Sequence, residues 1–116
     1  MKRSEHDRVA DLVVDAVSKI TGVSVDGMMA HNRRVDLVYA RHLVFYVCAD
    51  VFFISLPKIG KRMGWRDHTT VLHGVRKIHN NLRHNAVIRD DIGILKCTLG
   101  HIVTKVKHLR HDHIGF

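Results

Sequence analysis

Few of the residues that staple or stiffen a chain are present here. It has two cysteines, Cys48 and Cys97, and a single proline, Pro57. Both cysteines fall in predicted helices and read as free, buried thiols of a reducing compartment. No Cys-x-x-Cys or His-Glu-x-x-His string occurs, so the tight ligand spacing of a zinc site is missing. No nucleophile and base pair up by spacing, and a cysteine near a histidine means little among eleven histidines. The expectation is a protein that is not an enzyme, with no cofactor and no metal. The longest apolar run, Leu43 to Ala49, ends at Asp50, far short of the roughly 20 residues of a membrane span. The opening Met1-Lys2-Arg3-Ser4-Glu5-His6-Asp7 is charged and is followed by no signal-type apolar region. A cytoplasmic location away from membranes is therefore expected. There is no internal repeat, linker or low-complexity stretch.

What the chain does have is basic charge. Nineteen Lys and Arg against eleven Asp and Glu give +8, a surface that attracts polyanions. By itself this fits a basic protein with no nucleic-acid role equally well. With 116 residues, 46% of them hydrophobic, one domain with a modest core is expected. It should occupy residues 1–106, followed by a basic, His-rich tail at 107–116. The tail's His108-x-x-His111-x-His113 reads as a cationic segment and not as a metal site.

Apolar periodicity predicts helices throughout. Ser4 caps a first helix starting near Glu5, with Val9, Leu12, Val13, Ala16, Val17 and Ile20 inward and Thr21-Gly22 at its end. Ser24 caps a short helix through Met28 and Met29. A polar loop, His31-Asn32-Arg33-Arg34, precedes a long helix that begins between Asp36 and Arg41 and runs to Phe53. Leu43 to Cys48 lacks the strict alternation of a strand, so helix is preferred. Ser55 caps the next helix, with Pro57 in its first turn and Ile59 and Met63 inward, and Gly64 turns the chain. A helix over about Asp67 to Leu82 follows, then a last one over about Val87 to Val106. The predicted fold is all-α, a compact bundle of about six helices.

One pair of helices carries most of the functional signal. Ser55-Leu56-Pro57-Lys58-Ile59-Gly60 is followed, one short helix and a turn later, by Arg66-Asp67-His68-Thr69-Thr70-Val71-Leu72-His73. On a helical wheel Val71, Leu72, Val75, Ile78 and Leu82 share one side, and Arg66, Thr69, Thr70, His73, Lys77 and Asn80 share the other. Short polar groups at the start of such a helix can address base edges in a major groove. Asp67 can accept from a cytosine amine, whereas phosphates would repel it. On the wheel alone, a capped and solvated surface helix explains the pattern equally well. The helix placed just before it tips the balance.

These two strings, with Arg76-Lys77-Ile78, Gly22-Val23-Ser24-Val25-Asp26 and the Arg33-Arg34 loop, resemble domain IV of DnaA. That is the C-terminal DNA-binding domain of the bacterial replication initiator, and the similarity runs over roughly Val13 to Leu99. The resemblance implies binding of double-stranded DNA at the DnaA box, a short asymmetric element of the TTATNCACA type, by a monomer. It assigns base contacts to Asp67, His68, Thr69 and Thr70 in the major groove and to Arg41 in the minor groove. Arg66, His73 and Lys77 would lie near bases or phosphates, and Leu56 and Pro57 close to the backbone. Arg33, Arg34, Lys58, Lys61 and Arg62 would add phosphate contacts. Ala40 stands where the family has Pro or a polar residue, and Trp65 where a second glycine is common. The initiator's Gly-x-x-x-x-Gly-Lys-Ser/Thr loop is absent, so the chain looks like a domain IV on its own. The leading expectation is a nucleoid-associated regulator that occupies boxes without ATPase activity. The alternative is a protein-interaction module that engages DnaA or its regulators through Val44-Phe45-Tyr46, Phe52-Phe53 and Trp65. A third is a transcription regulator with a different target sequence.

Overall fold

A computed structural model describes residues 3–102, with side chains from residue 5 onward. Six α-helices and one π-helical turn make up its regular structure, and no strand occurs among the described residues. Helix α1 (Arg3–Thr21) already includes Ser4, so Ser4 does not cap it. Its Val9, Val13, Val14, Ala16 and Val17 are buried, while Leu12, predicted inward, is exposed. Gly22, at φ 74°, ends the helix in the left-handed conformation that glycine adopts without strain. Helix α2 (Val25–Met29) starts at Ser24, whose hydroxyl accepts from the Gly27 N–H at 3.0 Å.

Helix α3 (Val35–Tyr46) is the centre of the bundle. Its Leu37, Ala40, Leu43, Val44, Phe45 and Tyr46 are buried around most of its circumference. The reason is that α1, α2 and α5 all pack against it. This explains why its apolar residues do not keep to one stripe. Phe45 is 1% exposed, and burying a side chain of that size stabilises by about 2–3 kcal/mol. The predicted run to Phe53 is not one α-helix. A π-helical turn (Val47–Val51) follows α3, with the Phe52 N–H donating to the Val47 carbonyl at 3.2 Å. Widening the last turn keeps Val47, Cys48 and Phe52 in the core. Phe53 follows with a positive φ of 58°.

Helix α4 (Leu56–Arg62) has Pro57 in its first turn. Ser55 is its N-cap residue by backbone position but makes no side-chain capping bond. Helix α5 (His68–Asn81) packs on α4 and on α3. It approaches α3 closely at Gly74, where a Cβ would come within 2.6 Å of the His42 ring and 2.7 Å of the Phe45 ring. Helix α6 (Ala86–Thr98), capped by Asn85, lays Ile88, Ile92 and Leu95 on the core beside α1. It ends at Leu99, also buried, before a helical stretch at residues 100–102. The predicted continuation to Val106, the 106/107 domain boundary and the His-rich tail lie outside the described residues. Cys48 is buried as expected, but Cys97 is exposed. Among the described residues no helix is long and apolar enough to cross a membrane.

Candidate nucleic-acid interface

Helices α4 and α5 form the helix-turn-helix, and the turn between them is held by main-chain contact. The Arg66 N–H donates to the Gly60 carbonyl at 2.8 Å. A Cβ on Gly60 would lie 2.0 Å from the Arg66 carbonyl oxygen, so only glycine allows this approach. Gly64 and Trp65 both have positive φ, 77° and 60°. A Cβ on Gly64 would also press on the Met29 carbonyl oxygen at 2.5 Å.

The first turn of α5 is exposed and polar. Asp67 is its N-cap: Oδ1 accepts from the Thr69 N–H at 3.3 Å and Oδ2 from the Thr69 hydroxyl at 2.9 Å. His68 Nδ1 is 3.1 Å from the same carboxylate. The Thr69 hydroxyl, then its N–H, hold the Asp67 carboxyl below the usual carboxylate range, so it is ionised at neutral pH. Thr69 and Thr70 are exposed, and His73 and Lys77 continue the face one and two turns on. Asp67, Thr70, His73 and Lys77 line one concave surface together with His31, Arg33, His42, Trp65, Arg66 and Arg41.

The two arginines expected to point outward are turned inward. Arg41 is 6% exposed. Its guanidinium donates to the carbonyls of Met28 at 2.7 Å, Gly27 at 3.3 Å and Ala30 at 2.5 Å. Arg66 donates to Met63, to Met29 and, at 2.5 Å, to the same Ala30 carbonyl. Burial lowers both pKa values, and Arg41 lowers that of Arg66 further. The last turn of α2 leaves carbonyls without helical partners, and the two guanidiniums satisfy them. In sequence, these acceptors lie 11 to 37 residues away from the arginines, too far for local pattern to reveal.

The flanking basic residues are unequal. Arg62 donates a pair of hydrogen bonds to the Asp11 carboxylate, at 2.9 and 2.6 Å, and Arg34 a pair to Asp36, at 3.2 and 2.8 Å. Lys58 Nζ is 3.1 Å from His6 Nδ1. Arg33 and Lys61 are exposed, as is Pro57, and Leu56 is half-buried. Of the apolar residues considered as a partner surface, Val44, Phe45, Tyr46 and Phe52 belong to the core. Phe53 and Trp65 remain exposed.

Sequence reasoning passed over His42. It is half-buried under the concave face, with ring centroids 6.1 Å from both Phe45 and His73. Burial first, then the charges of Lys77, His73 and Arg41, push its pKa down to about 4. The unfolded chain would protonate this ring near 6.5. Between those values the unfolded state binds more protons, so stability falls as pH drops from 6.5 towards 4 and is flat in this term above 7. Allowing for solvent around the half-exposed ring, the expected loss is about 1–2 kcal/mol. Urea melts at pH 7.5 and 5 should show it, and His42→Gln should reduce the difference. An equal pH dependence in that variant would assign the effect to other groups.

The fold and its exposed α5 face define a helix-turn-helix domain. The family model described as the bacterial DnaA protein helix-turn-helix matches residues 10–78, and the chain belongs to this family. It is 37% identical over 89 residues to the chromosomal replication initiator protein DnaA of Thermomicrobium roseum, covering 77% of this chain and 19% of that protein. It is 34% identical over 85 residues to that of Lachnoclostridium phytofermentans, covering 73% and 19%. With that of Streptococcus agalactiae serotype Ia, identity is 41% over 80 residues, covering 69% and 18%. The chain thus spans about a fifth of the length of these curated relatives.

Proposed function

We propose that this protein binds double-stranded DNA at DnaA-box-like sites and, by occupying them, regulates replication initiation or transcription. The observation that carries the reading is the exposed first turn of α5, where Asp67, His68, Thr69 and Thr70 project beside a basic concave face. An ionised carboxylate at the tip of an otherwise cationic surface is costly for phosphate binding and useful for accepting from a base amine. Membership of the DnaA helix-turn-helix family supports a duplex as the ligand. The box is asymmetric, so one copy of the domain suffices for one site.

The test is a fluorescence-anisotropy titration of box and scrambled duplexes at physiological salt. A preference of about a thousandfold is expected for specific readout. In Asp67→Asn the cap survives, because asparagine caps as well as aspartate, so stability should hardly change. Preference for the box should still fall by about 1–3 kcal/mol, and in Thr70→Ala by a similar amount. Equal binding of both duplexes by the unaltered protein sinks the proposal.

A further inference from the structure

Trp65 is the chain's one tryptophan and is 79% exposed, although such a side chain is usually largely buried. It also sits at φ 60°, a conformation that strains a bulky residue and that glycine would adopt freely. The turn cannot relax around it. The Arg66 N–H is bonded to Gly60 on one side, and the Arg66 guanidinium is tied to Met29, Met63 and Ala30. An exposed aromatic ring held on a strained and rigid support contributes nothing visible to the monomer, so its use lies in a contact outside it.

The surroundings say which contact. On one side Trp65 borders the concave face that includes Asp67, Thr70, His73 and Lys77. On the other it borders a recess lined by Lys58, Lys61, Arg62 and Asp7. Arg62 is paired with Asp11, and Asp7 adds one opposing charge, but the lysines leave the recess basic. The indole therefore bridges the base-reading turn and a phosphate-attracting flank. A flat apolar face beside a single N–H donor suits a deoxyribose ring or thymine methyl next to a phosphate oxygen.

The geometry points to Trp65 as an additional DNA-contact residue, laying its indole on the sugar–phosphate flank of the site addressed by α5. This rests on the duplex-binding reading above. Two readouts test it on the full chain. First, with tryptophan emission followed during titration by box duplex, the emission is quenched or shifted and becomes shielded from acrylamide as the anisotropy signal saturates. Second, Trp65→Gly suits the positive φ, so its melting temperature equals or exceeds that of the parent. Its affinity for the box falls about fivefold to twentyfold, the range for one lost aromatic or charge-assisted contact. Trp65→Phe, which keeps a ring and loses the N–H, lies between. Unchanged emission at saturating duplex overturns the inference while leaving box binding intact. So does unchanged affinity in Trp65→Gly, which would move the ring to a protein contact. If the parent protein gives no anisotropy rise, the box reading fails and this inference falls with it.

Discussion

Gly60→Ala is expected to lower the melting temperature by about 10–20 °C and to abolish selective duplex binding. The added methyl would stand 2.0 Å from the Arg66 carbonyl oxygen, which is main chain and cannot rotate away. To make room, α4 and the turn must separate, breaking the Arg66–Gly60 hydrogen bond and moving Asp67 at the head of α5. A forced shift of this kind costs about 3 kcal/mol, which corresponds to the stated drop for a domain of this size. Gly93→Ala is the matched control. Its Cβ would meet nothing within 4 Å, and within α6 alanine should gain about 0.5–1 kcal/mol over glycine. Thermal unfolding of both variants checks the argument. A Gly60→Ala protein that melts like its parent would show that the turn has slack in solution.

Arg41→Met is expected to be the next most damaging change, at about 2–3 kcal/mol. It leaves the carbonyls at the end of α2 with one guanidinium, from Arg66, where there were two. Hydrogen bonds from a charged donor are worth about 1.5–3 kcal/mol, and the thioether replaces the stem but none of the donors. Arg41→Lys should recover only part, since an ammonium lacks the planar fork that spans several acceptors. The same change bears on function. If the guanidinium enters a minor groove, as the family resemblance implies, it must first give up these carbonyls. The binding defect of an Arg41 variant will therefore mix lost contact with a loosened α2. Denaturant melts separate the two. An Arg41→Met protein of parental stability would mean that the guanidinium is already free to reach DNA.

The helix-turn-helix was legible because its signals are local. Pro57 near the start of α4, Gly64 in the turn and Asp67 at the cap each act within a few residues. Gly60 and Gly64 have a second role that is not local, since a Cβ would meet the Arg66 carbonyl across the turn at the first and the Met29 carbonyl of α2 at the second. Much of the core face of α1 was legible from period alone, although Leu12 is exposed and Ala10 and Val14, which the period did not pick out, are buried. Helix α3 was harder. Three helices pack around it, so its apolar residues lose a single stripe, and nothing in Val47–Val51 signals a wider turn. Ser4 and Ser55 illustrate the limit of reading caps from composition: one lies inside its helix and the other caps with its backbone alone. The largest gap concerns Arg41 and Arg66. A basic residue near a candidate groove reads as a DNA contact, and its hydrogen bonds to the carbonyls at the end of a distant five-residue helix are visible only in the fold.

The Arg34–Asp36 and Arg62–Asp11 pairs bear on how firmly the chain holds a polyanion. Each arginine already has its counter-charge within the protein, so approaching a phosphate displaces a carboxylate instead of adding an uncompensated cation. Fewer condensed ions leave the duplex than the number of nearby arginines and lysines suggests, and each missing release removes about 0.9 from the logarithmic dependence of affinity on ionic strength. The gross count of nineteen lysines and arginines thus overstates sequence-blind attraction, and the net +8, which already subtracts the acids, is the fairer guide. A protein neutralised in this way gives up some grip on arbitrary duplex and spends less time on sites it does not recognise.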